Sequence, residues 1–443
     1  MTSPTAQPTH VLRGATLSFR GDPFALGPDA AVDIHADGAV AISGGKILAV
    51  GAAGDILRAH PQATVESWPH HVIMAGFVDC HAHYPQTGII ASYGEQLLQW
   101  LTKYTFPEEA KFGDPAYAER IAGLFLDELL RNGTTTVSAY CTSHPGSVEA
   151  FFAAAEARGM CVAGGKVLMD RNAPGSLLDS PERGYDESEA LIARWHGKGR
   201  AVYAVSPRFA ITSTPGQLEA ASALWHEHPD TLMQTHLSEN RKEIAWAREL
   251  YSDAPDYFGI YQHYGLTGPG ANFGHAVHLT PREWAAFAET GSGISHCPTS
   301  NLFIGSGLFD MGAARGGEGR IPVGLGTDVG GGSSFSMLAT MKASYEICQL
   351  QGYSLHPARA FWLATQGSAQ VMRLDSRIGN LAPGFDADIA VLDLRATPLI
   401  AERTSRATDL WEALFALMIL GDDRAIAATY AGGARRHSRG TTR

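Results

Sequence analysis

Phe77-Val78-Asp79-Cys80-His81-Ala82-His83 runs an apolar strand straight into two histidines spaced i, i+2. Side chains alternate faces along a strand, so both imidazoles point the same way, with Cα atoms about 6–7 Å apart. At that separation two ring nitrogens can converge on one metal ion at about 2.0–2.1 Å each. An isolated His-x-His is more often structural, and its position in the fold decides the reading. At the C-terminal end of a first barrel strand it reads as a metal grip, with Asp79 as a strand-end acceptor.

Outward from that stretch the chain alternates short apolar strands with helical patterns. The strands are expected at Val72–Val78, Thr135–Ala139, Val162–Val167, Ala201–Val205, Leu232–Thr235, Asn272–Gly274, Gly293–His296 and Val323–Gly326. Helices are expected at Ala116–Asn132, Ser147–Arg158, Ser188–His196, Pro215–His226 and Pro281–Thr290. Eight apolar strands, most followed by a helix, predict a parallel sheet covered on its outside, that is, a (β/α)8 barrel over 71–379. Residues 1–70 and 380–443 are β-rich, as at Val11–Phe19, Ala39–Val50 around a Gly44-Gly45 turn, and Ile389–Leu392. These ends are expected to pair as a small β-sandwich domain built from both termini. The insert 86–112 carries an apolar stripe, Leu97, Leu98 and Leu101, that suits either a buried helix or one lying over the barrel mouth.

Composition narrows the class. The chain has 443 residues, 45% hydrophobic and 18% charged, with 34 Lys plus Arg against 45 Asp plus Glu. A net charge of −11 argues against nucleic acid or an anionic membrane surface as partner. Five scattered cysteines without a CxxC pair read as free thiols in a reducing compartment. MTSPTAQPTH lacks a signal-peptide layout, and Ala413–Leu420 is too short an apolar run for a bilayer, so a cytoplasmic protein is expected.

Further strand ends carry chemistry. His236 ends the fifth strand and Glu239 follows it, where a carboxylate can move a proton between metal-activated water and substrate. Alone, His236 could be a core histidine and Glu239 a helix cap. His275 follows the sixth strand directly and is a better candidate than His278. Asp328 follows the last strand, where it can touch an ion and accept a proton. The glycine run 330–332 fits no phosphate-loop or dinucleotide frame. Neither a G-x-S-x-G elbow nor the H-x-E with P-C-x-x-C pattern of the other zinc deaminase architecture occurs.

His81, His83, His236, His275 and Asp328, in this order, resemble the amidohydrolase superfamily along essentially the whole chain. After the fourth strand stands Val205-Ser206-Pro207-Arg208-Phe209, with arginine where binuclear members carry a bridging lysine. Lys166, one strand earlier, is a poor substitute, so the resemblance implies a mononuclear site of the deaminase branch. Within that branch the segments 83–86, 93–107, 165–172, 235–239, 297–302 and 326–330 resemble the guanine deaminase family, most specifically Trp100-Leu101-Thr102-Lys103-Tyr104-Thr105-Phe106-Pro107. Ala75 and Cys80 depart from the family's usual proline and threonine, away from the chemistry. The resemblance implies zinc, with iron or manganese also accommodated by such ligands, held by His81, His83, His236 and Asp328. It implies Glu239, His275 and Asp328 as catalytic groups, and Gln86, Arg208 and Phe209 as contacts to a purine base. Hydrolytic deamination of guanine to xanthine by a homodimer is then expected. The alternative is a related enzyme acting on 8-oxoguanine, a pterin, a triazine or cytosine.

Overall fold

The computed structural model describes residues 8–316 and 320–440. The first seven residues of the stretch read above for a signal layout lie outside the described residues. Eight parallel strands form the barrel: β1 (Phe77–His83), β2 (Thr134–Tyr140), β3 (Cys161–Gly165), β4 (Ala201–Pro207), β5 (Leu232–Leu237), β6 (Ala271–His275), β7 (Gly293–His296) and β8 (Val323–Leu325). Each pairs with its neighbour in chain order. The residues just past β8 complete the ring: the Asp328 N–H donates to His81 O at 2.8 Å, and the His83 N–H donates to Val329 O at 2.7 Å.

Both faces of these strands are covered, which is why they read as continuous apolar runs; every residue of β1 and β2 is buried. The helices between them open on proline, as in Pro115–Arg131, Pro145–Arg158, Pro181–Trp195, Pro215–Glu227 and Pro281–Thr290. Proline suits the first turn because its missing N–H has no helical partner there. Asp114, Ser180, Thr214 and Thr280 cap four of them through their side-chain oxygens. Pro115–Arg131 buries Ile121, Phe125 and Leu129 at helical spacing, each worth about 1.5–3 kcal/mol against exposure.

The two chain ends share a second, seven-stranded sheet. Its order is Ala434–Ser438, Ile426–Ala431, Ile389–Asp393, Thr64–Ala75, His10–Phe19, Val32–Ser43 and Lys46–Ala52. Thr64–Ala75 lies at its centre, antiparallel to Ile389–Asp393 and parallel to His10–Phe19.

Two sequence expectations are corrected. Val72–Val78 is not one strand: Val72–Ala75 ends the terminal-sheet strand, and Phe77 begins β1. The chain changes sheets at Gly76, whose N–H donates to Asp388 O at 2.9 Å. A Cβ on Gly76 would fall 2.3 Å from Thr135 Oγ1, so only glycine passes there. The C-terminal stretch also includes helices, Pro398–Thr404 and Leu410–Leu420, beside its strands. Leu414, Leu417 and Met418 of the latter are buried. Among the described residues no helix is long and apolar enough to cross a membrane.

Candidate active site

The pocket at the C-terminal ends of the strands is built from neighbours in the barrel ring. Its floor and walls include His83 from β1, His236 from β5, His275 from β6, and Asp328 after β8. Gln86, Arg208, Phe209 and Glu239 line it as well. The insert covers it with Leu97, Trp100 and Leu101, so its apolar stripe faces both the core and the mouth. Leu98, by contrast, is only partly buried.

His275 and Asp328 hold φ values of 71° and 51°. This left-handed backbone costs a non-glycine residue about 1–2 kcal/mol. Such strain tends to collect where a side chain must be aimed.

The histidine nitrogens define a cation-seeking point. Ligand atoms of His81, His83 and His236 all lie within 4.8 Å of one another. His83 Nε2 and His236 Nε2 are 3.0 Å apart. His236 Nδ1 lies 2.7 Å from the Arg208 carbonyl, which can only accept, so Nδ1 carries the proton and Nε2 offers its lone pair. Asp328 Oδ1 approaches His81 Nε2 at 3.4 Å and His83 Nε2 at 3.3 Å. His81 Nε2 nevertheless makes no hydrogen bond, and neither does His83 Nδ1. Burial holds His81, His83 and His236 below the ordinary imidazole range, helped for His83 and His236 by neighbouring positive charge. Neutral imidazoles and a carboxylate that converge without satisfying one another suit a divalent metal ion. The residues present therefore fit the metal expected from the sequence. A second grouping, His81, His275 and Cys297, shares His81, but burial keeps the Cys297 thiol protonated.

The proton-handling groups sit beside that point. His275 Nε2 is 3.4 Å from Glu239 Oε2 and 3.8 Å from Asp328 Oδ2. Burial opposes protonation of His275, yet the charges of Glu239 and Asp328 outweigh it and raise its pKa. Burial pushes the Glu239 carboxyl up to about 7. Burial acts upward on Asp328 too, but the nearby His81 imidazole and the His275 charge hold it below the usual range.

Further side chains support the site; of these Asn301, Ser306 and Glu109 were given no role from the sequence. Asn301 Oδ1 lies 2.9 Å from His275 Nδ1, which leaves Nε2 for the pocket. Ser306 Oγ donates to Glu239 Oε1 at 3.0 Å. Asp79 accepts from the His81 N–H at 3.2 Å and the Thr327 N–H at 3.0 Å, and it also bonds the Thr327 hydroxyl, tying β1 to the turn after β8. Glu109, fully buried in the insert, accepts from Arg208 Nη1 at 2.8 and 3.0 Å and from Gln86 Nε2 at 3.2 Å. Lys166 lies outside the pocket lining, buried and paired with Asp179 and Glu187. His278 bonds the Ser306 carbonyl at 2.8 Å.

A parallel barrel with histidines and an aspartate at its strand ends defines a metal-dependent hydrolase. The amidohydrolase family model matches residues 72–435, and the chain belongs to that family. A model for an imidazolonepropionase-like composite domain of bacteria matches residues 38–63. Guanine deaminase of Escherichia coli is 48% identical over 83% of this chain and 84% of its own length. A probable guanine deaminase of Deinococcus radiodurans is 39% identical over 96% of this chain and 97% of its own. The solved structure of E. coli guanine deaminase superposes with a TM-score of 0.94 at 44% identity, covering 97% of this chain and all of that one (100%).

Proposed function

We propose that this protein is a guanine deaminase, hydrolysing guanine to xanthine and ammonia. The observation that carries the reading is one pocket in which His83 and His236 of the three-histidine metal point, Glu239, and the purine-reading pair Gln86 and Arg208 face the same space. The 48% identity to a guanine deaminase supports the choice of substrate.

His81, His83, His236 and Asp328 would hold one zinc ion. When bound, zinc supplies the Lewis acidity that makes hydroxide available from water near neutral pH. Arg208 donates to the purine carbonyl, and Phe209 offers an aromatic edge or face to the ring. Glu239 delivers a proton to ring N3, which removes aromatic resistance to addition at C2. Asp328 accepts the proton released by the incoming water. His275, its Nε2 turned into the pocket by Asn301, stabilises the oxygen that forms on C2. The exocyclic amine then leaves as ammonia, so that guanine plus water gives xanthine plus ammonia.

The same proposal divides the chain into a barrel (77–379) and a terminal part (1–75 and 380–443) joined at Gly76, in place of the boundary expected between residues 70 and 71. It also takes the enzyme as a cytoplasmic homodimer. Five buried free cysteines support a reducing compartment, and light scattering on the purified protein tests the dimer. To test the activity, metal-loaded protein is incubated with guanine, 8-oxoguanine, cytosine, a pterin and a triazine. Equal amounts of xanthine and ammonia are expected from guanine. Release only from one of the others would reassign the substrate.

A further inference from the structure

Glu109 lies outside the pocket lining, yet it touches both polar groups that the proposed function uses to read the purine. It is fully buried at the end of the short helix Phe106–Glu109. Gln86 follows β1 and Arg208 follows β4, so the two reach the pocket from separate parts of the barrel ring. Both are almost completely buried. Glu109 joins them: Oε1 accepts from Gln86 at 3.2 Å and from Arg208 Nη1 at 3.0 Å, and Oε2 accepts from the same Nη1 at 2.8 Å.

The chemistry of that junction has a direction. An ionised carboxylate can only accept hydrogen bonds. The Gln86 atom facing it must therefore be the amide nitrogen, and the amide cannot flip without setting oxygen against oxygen. Among the described residues nothing else donates to Gln86 Oε1, and the Arg208 guanidinium hydrogen-bonds the protein only through Nη1. Gln86 is left with a carbonyl for the pocket, and Arg208 with N–H donors. The buried guanidinium is also neutralised, so the pair recognises by hydrogen-bond pattern and not by net charge.

We infer that Glu109 is a positioning residue that sets the donor–acceptor polarity of the pocket, matching it to a cyclic amide with a ring C=O beside a ring N–H. This rests on the guanine deaminase reading, since guanine carries that pair and 6-aminopurines carry its inverse, an N–H donor beside a ring nitrogen acceptor. A pocket with a fixed polar pattern rejects the inverse pattern strongly, because its own buried groups are then left unpaired.

Two measurements test the inference. In the first, hypoxanthine and adenine are titrated calorimetrically into the unaltered, metal-loaded protein. Hypoxanthine is expected to bind about ten-fold or more tightly than adenine; equal or reversed affinities would overturn the assigned polarity. In the second, the ratio of kcat/KM for guanine to that for 2,6-diaminopurine is compared across variants. This ratio does not depend on how much of a preparation is folded. In Glu109→Gln the new amide can either donate or accept, Gln86 is free to flip, and the ratio is expected to fall about ten-fold or more. In Glu109→Asp the acceptor-only carboxylate remains, so the ratio should stay near that of the parent even if KM rises. An unchanged ratio in Glu109→Gln, or the same fall in both variants, would overturn the role of Glu109. If Glu109→Gln does not fold, the calorimetric comparison still decides the polarity, and a ratio that falls in Glu109→Asp would overturn the role of Glu109. Absence of ammonia release from guanine by the unaltered protein would instead strike the deaminase reading, and the binding comparison would stand independently of it.

Discussion

Glu239 shows what a single side chain does here. It is buried, its carboxyl is anchored by Ser306, and His275 lies 3.4 Å away. In Glu239→Gln the shape and an acceptor for Ser306 remain while the transferable proton is lost. Turnover is expected to fall by about 10²–10⁴-fold or more, with the metal content of the purified protein unchanged. Retained activity would remove Glu239 from proton transfer; lost metal would make it a holder of the ion. Glu239, like the histidines and Asp328, was legible in the sequence because it follows an apolar strand, and in a barrel the C-terminal strand ends gather at one mouth. Asn301, Ser306 and Glu109 act through tertiary hydrogen bonds spanning 26, 67 and 99 residues of chain. No periodicity encodes such partners, so they were not legible.

At the scale of elements, the grip on the metal depends on how closely β6 lies against the side chains of β1. A Cβ on Gly274 would meet His81 Cε1 at 2.4 Å and His81 Nδ1 at 2.8 Å. In Gly274→Ala the imidazole has to move, because backbone of β6 is paired on both sides and cannot yield easily. Overpacking of this kind costs about 1–3 kcal/mol, which a barrel of this size tolerates. The expected outcome is a folded protein with a reduced metal-to-protein ratio and correspondingly reduced turnover; full metal occupancy would show that β1 relaxes around the methyl group. Glycine also explains an element misread from sequence. Val72–Val78 is a continuous apolar run because residues on both sides of Gly76 are buried, although in different sheets. Apolar pattern reports burial and not which sheet provides it. The helix Leu410–Leu420 was missed for a related reason: it is apolar on nearly every side, so it lacks the stripe that marks a surface helix.

For the whole molecule, the question is what keeps a sheet made from both chain ends locked to the barrel. The β-rich character of the two ends was visible in the sequence; their strand order was not, since Thr64–Ala75 meets Ile389–Asp393 across the entire barrel sequence. A charged junction spans the same distance. Asp386 receives Lys46 at 2.6 Å, Arg377 at 2.8 Å and Arg200 at 3.2 Å, while Arg200 also reaches Asp388 at 2.9 Å. Lys46 belongs to the terminal sheet, and Arg200 stands immediately before β4. Burial pushes the Asp386 carboxyl upward, but the Lys46 hydrogen bond and the Arg200 and Arg377 charges prevail and hold it below 3.8. A carboxyl whose folded pKa is depressed stabilises the fold fully above its unfolded value and loses that contribution as pH falls through the folded one. Asp386→Asn should therefore be less stable than the parent at pH 7 by about 1–3 kcal/mol. The gap should be the same at pH 5, should begin to shrink where Asp386 of the unfolded chain takes up a proton, and should close only at lower pH, where the folded parent's Asp386 is protonated too. Denaturation midpoints of both proteins across pH 7 to 3, with chelator present so that metal release does not contribute, measure it. No gap at pH 7, or a gap undiminished at pH 3, would show that this junction does not hold the terminal sheet to the barrel through the charge on Asp386.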